Sequence, residues 1–280
     1  MRGEQLHSLA AWFNSYVKKF YSKDQKIQAG IELKEKHTAR VRENIVRIGR
    51  SLNLKENDLL QAETIALFHD IGRFKQYVIY QTFNDRRSEN HALLGVRELL
   101  QGEVLSVLTE EETDLVLKAV EYHNLLDLPW DAPERHLFFS RLIRDADKLD
   151  ILKITTDHYR NQGRGSNPAL ESGLPDTPGY SRVLVEDLLH QRRCGYDDVK
   201  NLNDRKLLLL SWLYDINFPY TLSEIAAKNV VGKLIAVLPD TGDVRMVYEY
   251  LQVYMTKNLT FPAGAIKLAA ARRDKYFLKL

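Results

Sequence analysis

The sequence predicts an all-α fold, and three observations support this prediction. Apolar residues recur every three or four positions along most of the chain, which is the spacing of a buried helix face. Strand-type alternation of apolar and polar residues is scarce, and no internal repeat is present. With 44% hydrophobic and 28% charged residues among 280, the composition is that of a globular protein with a sizeable core.

Three helices are predicted before a polar loop at residues 80–90. Apolar residues at helical spacing define the first helix over residues 6–20 and the second over residues 33–52. The third covers residues 59–70, and we expect Gly72 to close it in the left-handed conformation that glycine adopts at helix C-termini. The third helix would then be buried and would end at a pair of polar residues.

The chain after this loop follows the same periodicity. Ser88 or Asn90 is expected to cap the next helix, which continues through Leu99. Another helix opens at Thr113, and two prolines mark a loop before the long helix of residues 134–152. More helices are predicted in the C-terminal portion, at residues 183–189, 207–216, 222–238 and from 244 onward.

The clearest loop signal lies at residues 162–179, which contain four glycines and three prolines. We therefore predict a helical core over residues 1–160, a loop or linker over 161–180, and a helical C-terminal portion over 181–280 packed on that core. One continuous domain is the alternative. The C-terminal aromatic residues would lie in the core, line a substrate pocket or form a homodimer interface.

Charge and cysteine content narrow the class of protein. The 40 basic and 38 acidic residues give a net charge of +2, which indicates neither nucleic-acid nor membrane binding. No apolar run reaches the length of a membrane span or of a signal peptide. Cys194 is the single cysteine, so we expect a reducing, cytoplasmic setting. The adjacent Arg192 and Arg193 would lower the pKa of its thiol, but without a histidine partner we predict no catalytic role.

Histidines and aspartates on predicted apolar helix faces are the candidate site: His37, His69, Asp70, His91, His123 and Asp147. Each has a plainer interpretation, since a lone histidine is more often a satisfied core residue, and Asp147 could pair with Arg144 or Lys148. However, acidic residues are rarely buried without a partner. One metal-binding cluster would satisfy all six, and six ligands suit two metals with a bridging carboxylate better than one structural zinc.

The order of these residues resembles the HD-domain metal-dependent phosphohydrolases over residues 30–158. The family begins with a histidine, here His37, and continues with the His-Asp dipeptide, here His69 and Asp70 followed by Ile-Gly. It ends with an aspartate, here Asp147 in the sequence Asp-Ala-Asp-Lys-Leu-Asp. The resemblance implies an HD-domain helical bundle with a helical C-terminal extension.

His91 and His123 match the extra histidines of the dinuclear branch of that family. The resemblance implies that one metal is held by His37, His69, Asp70 and Asp147. The other would be held by His91, His123 and a bridging Asp70. The cofactors would be two divalent transition-metal ions, for which iron, manganese, nickel, cobalt and zinc are all compatible with nitrogen and oxygen ligands. Asp145 and Asp150 are expected to be solvated or to contact the ligands rather than the metals.

Two departures from the family pattern affect which substrate the resemblance implies. Arg73 replaces the lysine that often follows the Ile-Gly pair, but it keeps the positive charge and can form a bidentate contact with phosphate. Arg86 and Arg87 are weaker candidates for the same contact. The Gly-Tyr-Pro motif of the cyclic-dinucleotide branch is absent after His123, so the sequence does not point to that substrate.

The resemblance therefore implies a metal-dependent hydrolase, either a phosphomonoesterase or a phosphodiesterase. A metal-bound hydroxide would attack a phosphate ester or anhydride of a nucleotide or small phosphorylated metabolite, with Asp70 and Arg73 as catalytic residues. One alternative is a di-iron HD-type oxygenase, which shares the six-ligand set. The other is a non-catalytic module that binds a ligand or regulates a partner.

Overall fold

A computed structural model describes residues 1–160 and 167–260, and its regular secondary structure is helical throughout these ranges. The predicted all-α fold class is therefore confirmed. The described chain divides into two compact units, the first formed by residues 1–151 and 167–173 and the second by 152–160 and 174–260. Residues 161–166 of the predicted linker and 261–280 of the predicted C-terminal portion lie outside the described residues.

The helices of the first unit match most of the predicted periodicity. In chain order they are α1 Gly3–Lys18, α2 Gln25–Ser51, α3 Glu56–Phe68, α4 Gly72–Tyr80, α5 His91–Gln101, α6 Glu110–Tyr122, α7 Glu134–Arg160, which continues into residues of the second unit, and the short α8 Pro168–Glu171. The polar loop between α4 and α5 contains only a short 3-10 turn at Asp85–Arg87.

Helix α3 forms the centre of the first unit. It packs against α1, α2 and α6, and the side chains of Ile65, Leu67 and Phe68 are at most 1% exposed. The C-terminal part of α3, from Gln61 to Phe68, is buried at every residue except Glu63, and such a segment is stable only when other elements surround it. Each large apolar side chain buried there contributes roughly 1.5–3 kcal/mol to folding. The end of α3 therefore delivers the residues that follow it into the protein interior.

Gly72 does not close α3, so that prediction is wrong. It has no positive φ and is instead the first residue of α4. Gly72 allows α4 to approach α5 closely. A Cβ atom here would lie 2.2 Å from the carbonyl oxygen of His91 and 2.6 Å from the backbone nitrogen of Gly95. Glycine is required because the α4 backbone touches the α5 backbone.

Capping residues correct two further boundaries. Asn90, not Ser88, caps α5, since its Oδ1 accepts hydrogen bonds from the backbone nitrogens of Ala92 and Leu93 at 2.9 and 3.1 Å. Helix α6 begins before the predicted Thr113. Thr109 and Glu112 form a capping box there, in which each side chain accepts a hydrogen bond from the other's backbone nitrogen.

The second unit contains the helices α9 Arg182–Leu189, α10 Leu202–Ser211, α11 Pro219–Ala227, α12 Val230–Ile235 and α13 Gly242–Thr260. The single helix predicted at residues 222–238 is therefore two helices. Asn229 separates them because its backbone is left-handed, with φ of 49°, and a helix cannot continue through that conformation. None of the described helices combines the length and apolar character needed to span a bilayer. The cytoplasmic setting stays a prediction.

Cys194 lies in the interior of the second unit, with 3% of its surface exposed. Burial raises the pKa of its thiol to about 12, whereas the sequence suggested a lowered value. The neighbouring arginines do not prevent this, because Arg192 pairs with Asp187 at 2.8 Å and Arg193 lies 3.6 Å from Asp215.

We expect the Cys194 thiol to resist a disulfide reagent such as DTNB at pH 8 in the folded protein. A raised pKa keeps the sulfur protonated at this pH, and only the thiolate reacts. The same sample unfolded in urea should release one equivalent of chromophore per chain, which provides the internal control. Labelling of the native protein at the rate of free cysteine would contradict the buried position.

Candidate metal centre

The first cluster consists of His37 on α2, His69 and Asp70 after α3, and Asp147 on α7. The Nε2 atoms of His37 and His69 are 3.3 Å apart, and Asp70 Oδ2 lies 3.5 Å from the former and 3.7 Å from the latter. Asp147 Oδ1 lies 3.1 Å from His37 Nε2 and 4.0 Å from His69 Nε2. Donor atoms bound at about 2.0–2.2 Å around one metal ion are themselves roughly 3–3.5 Å apart. The first cluster is close to that geometry.

The second cluster consists of His91, His123 and, again, Asp70. His91 is the first residue of α5, and His123 directly follows α6. Their Nε2 atoms are 3.0 Å apart, and they lie 3.3 and 3.8 Å from Asp70 Oδ1. Asp70 therefore directs Oδ2 to the first cluster and Oδ1 to the second. The structure brings all six predicted residues together, while their role as metal ligands stays a prediction.

Backbone carbonyl groups orient two of the four imidazole rings. His69 donates from Nδ1 to the carbonyl oxygen of Ala66 at 2.8 Å, and His123 donates in the same way to Val120 at 2.6 Å. A carbonyl can only accept, so the proton must be on Nδ1, and the Nε2 lone pair faces the cluster. Burial also lowers the pKa of His69 to about 4, which keeps this ring neutral, as a metal ligand must be.

Carboxylates orient the other two rings. His37 Nδ1 donates to Asp150 Oδ2 at 2.7 Å, and Asp150 is itself held by the Arg40 guanidinium at 2.6 and 3.0 Å. His91 Nδ1 donates to Asp85 Oδ2, also at 2.7 Å. A carboxylate in this position fixes the ring and makes the opposite nitrogen a stronger ligand. Asp150 is only 1% exposed and so contacts a ligand rather than solvent.

The first cluster favours a cation between His37 and Asp147. Asp147 Oδ1 is buried and, among the described residues, accepts no hydrogen bond of acceptable geometry. Burial and the nearby Lys34 would lower the pKa of His37, but the carboxylates of Asp147 and Asp150 outweigh both and raise it. A buried carboxylate oxygen without a donor is costly. A metal ion bound to both side chains would remove that cost, so the residues present fit the expected cofactor.

Asp70 carries its negative charge although it is buried. Burial would raise its pKa, but the charge of the adjacent Lys34 ammonium holds the pKa well below its usual range. Lys34 Nζ donates to Asp70 Oδ2 at 2.7 Å. Because the carboxylate stays ionised, both of its oxygens can accept a cation at neutral pH.

Arg73 links Asp70 to the polar loop. Its Nη1 donates to Gln76 Oε1 at 2.9 Å, to the carbonyl oxygen of Phe83 at 2.6 Å and to Asp85 Oδ1 at 2.7 Å. Its Nε lies 3.4 Å from Asp70 Oδ1. These contacts hold the loop that carries Asp85 against the second cluster. A contact between Arg73 and a phosphate stays a prediction.

The remaining predicted residues lie around this network. Arg86 and Arg87 are exposed on the 3-10 turn, and their contact with a substrate also stays a prediction. Asp145 is fully buried, so it is not solvated. Arg144 donates from Nη1 to the carbonyl oxygen of His123 at 3.2 Å, which connects α7 to the backbone of that residue.

Sequence reasoning did not identify Asp85, Arg40 or Lys34 as part of the site. Asp85 carries no periodic signal because it lies in an irregular loop. Arg40 and Lys34 do carry one, since each lies three residues from His37 on α2 and so shares its helix face. A search for polar residues one turn from each predicted ligand would have found both.

The Asp85→Asn variant is expected to lose affinity selectively for the metal of the second cluster, by about 10–100-fold. Its amide cannot supply the negative charge that orients and polarises His91. Asp150→Asn is the matched variant, and it should weaken the first cluster instead. Titration of metal-free protein with Mn²⁺ against a chromogenic chelator measures both affinities. Unchanged binding of two metals in Asp85→Asn would contradict the assigned role.

Residues 35–152 match the family model described as HD domain. This range contains all six converging residues and most of the helices that carry them. The chain therefore carries an HD domain, as its motifs indicated, and proteins of this family are generally metal-dependent hydrolases. A search of curated proteins and a search of solved structures returned no match. The dinuclear branch stays a prediction.

Proposed function

We propose that this protein is a metal-dependent phosphohydrolase acting on a phosphate ester or anhydride of a nucleotide or a small phosphorylated metabolite. One observation carries the proposal: the two oxygens of Asp70 face two separate histidine pairs at 3.3–3.8 Å. A carboxylate in this position can bridge two metals held a few ångströms apart. Bound together, such metals polarise a phosphoryl group and lower the pKa of a water molecule.

The protein's own residues prepare this chemistry by orientation and by exclusion of water. The Nδ1 partners of the four histidines keep every Nε2 lone pair directed inward. The side chains of His69 and Asp70 are at most 5% exposed, whereas that of Asp147 is 20% exposed. The site is therefore closed behind Asp70 and open at Asp147, and we expect the phosphoryl group to approach from the open side.

The test combines elemental analysis with a hydrolysis screen. Metal content is measured on the purified protein, and metal-free protein is then reconstituted with Mn²⁺, Fe²⁺, Co²⁺, Ni²⁺ or Zn²⁺. Each form is assayed for phosphate release from nucleotides, sugar phosphates and phosphodiesters. Two equivalents of metal per chain and turnover of one phosphorylated class, absent from the metal-free control, are the expected results.

Two other results would replace the proposal. Two irons per chain with substrate-dependent consumption of oxygen would identify a di-iron oxygenase, because histidine and carboxylate ligands suit iron equally well. No bound metal and no turnover in any reconstituted form would identify a ligand-binding or regulatory module.

A further inference from the structure

Lys34 places an ammonium group against Asp70, the carboxylate that the two clusters share. It lies on α2 one turn before His37, and 14% of its side chain is exposed. Its Nζ donates to Asp70 Oδ2 at 2.7 Å. Within the described ranges it makes no other hydrogen bond to the protein, so two of its three ammonium protons remain available to a bound ligand or to solvent.

An aromatic platform holds Lys34 in this position. Its Nζ lies 5.2 Å from the centre of the Phe83 ring, within range of a cation–π interaction. Phe83 in turn stacks on Tyr77, with ring centres 4.3 Å apart and planes 16° apart. Tyr77 packs where α2 has Gly30, since a Cβ atom there would lie 2.1 Å from the Tyr77 ring. The ammonium group therefore has a rigid support beside the cluster.

A metal ion in the first cluster would compete with Lys34 for the same carboxylate oxygen. Asp70 Oδ2 faces both the Lys34 ammonium and the Nε2 atoms of His37 and His69. A divalent ion close to the ammonium would repel it and weaken its pair with Asp70. The ammonium group would then be free to contact an anion bound at the metal, still supported by Phe83 and reachable through the exposed 14% of its side chain.

Arg73 is less available than Lys34 to contact an anion beside the metal. Its Nη1 is shared by three acceptors of the protein, at 2.6–2.9 Å, and these contacts hold the polar loop in place. Withdrawing the guanidinium group would leave Asp85 without one of its partners. Lys34 holds a single carboxylate that the metal can neutralise, so its release leaves no buried charge unpaired.

We propose that Lys34 is a substrate-binding residue that exchanges Asp70 for the phosphoryl group of the substrate once the first cluster holds its metal. This inference rests on the proposed function, since it names the cation that would contact the phosphoryl group. It also assigns Lys34 a second effect: the ammonium group lowers the affinity of the first cluster for its metal.

The experiment compares three variants of the full chain. Lys34→Met removes the charge at similar length, Lys34→Arg keeps it, and Lys36→Met removes a lysine of the same helix whose side chain is 69% exposed. The first readout is the affinity of metal-free protein for Mn²⁺. Lys34→Met should bind the ion of the first cluster several-fold more tightly than wild type, and the other two variants should bind it as wild type does.

The second readout is the affinity of the metal-loaded proteins for inorganic phosphate, measured by calorimetry. Lys34→Met should bind phosphate about tenfold or more weakly, as expected for a lost hydrogen bond to a charged group. Lys34→Arg should retain most of the affinity, and Lys36→Met all of it. Thermal unfolding verifies that each variant is folded. If Lys34→Met is unstable, the phosphate affinity of Lys34→Arg is compared with that of wild type and of Lys36→Met instead.

Phosphate affinity equal to wild type in metal-loaded Lys34→Met would overturn the inference. The two proposals fail separately. Loss of phosphate binding in Lys34→Met, with no hydrolysis by wild type, would support Lys34 as an anion-binding residue and count against the hydrolase. Hydrolysis by wild type, with unchanged phosphate binding in Lys34→Met, would overturn the role of Lys34 alone.

Discussion

The Asp70→Ala variant is expected to lose both metals and all measurable turnover. Among the residues that the structure describes, Asp70 is the one whose oxygens face both clusters, Oδ2 toward His37 and His69 and Oδ1 toward His91 and His123. Removing a residue that only orients a ligand costs about 10–100-fold in affinity, so removing a shared ligand should cost more than about 100-fold at each metal. Elemental analysis after dialysis and the hydrolysis assay measure the two losses.

Two controls separate this effect from unfolding. Asp70→Asn keeps the side-chain volume and one oxygen, so it tests whether the bridging charge is required in a chain that packs as wild type does. Asp114→Asn removes a carboxylate of the same unit that is 60% exposed and pairs with His136, and it should bind two metals normally. Asp70→Ala protein with unchanged metal content and activity would falsify the assignment of Asp70.

The Gly72→Ala variant is expected to be destabilised by about 3 kcal/mol or more, at the upper end of the range for an overpacked core. The added Cβ would lie 2.2 Å from the carbonyl oxygen of His91 and 2.6 Å from the backbone nitrogen of Gly95. Both are backbone atoms of α5 and cannot rotate away, so α4 and α5 must separate. His91 opens α5, and its ring would therefore move away from Asp70.

Urea unfolding gives the change in stability, and metal titration shows whether the second cluster still binds its ion. Gly3→Ala is the matched control, because no atom beyond its chain neighbours and the backbone of its own helix turn lies within 4 Å of the position that its Cβ would take. The Gly72 variant should lose the metal of the second cluster before that of the first. An unfolding free energy equal to wild type, with two metals bound, would show that the helices tolerate the extra methyl group.

The fold class and most helices could be predicted from the sequence because burial imposes a helical period on the apolar residues. The period is regular in α1, α2 and α7, where the predicted and observed helices overlap, although α2 begins at Gln25 and not at Leu33. The prediction of helix boundaries failed where a single residue changes the backbone without disturbing the apolar period. Asn229 divides one apolar pattern into α11 and α12, and Thr109 starts α6 before its apolar face begins.

The six candidate residues could also be predicted, since polar side chains on apolar helix faces are rare enough to be noticed. What could not be predicted was how each is held. Asp85 contacts His91 only because the polar loop folds back onto α5, and nothing in the loop's composition encodes that path. Lys34 meets Asp70 only because α2 lies beside the end of α3.

The sequence by itself determined that this protein is helical, that it carries the HD motifs, and which histidines and aspartates face the interior. These properties depend on side-chain type and spacing, which the chain carries locally. Only the tertiary structure decided that the two oxygens of Asp70 face different histidine pairs and that Asp85 and Asp150 orient two of the rings. It also decided that the backbone of α5 packs directly against Gly72. These features depend on distances between helices far apart in the chain, and such distances arise only when the core packs.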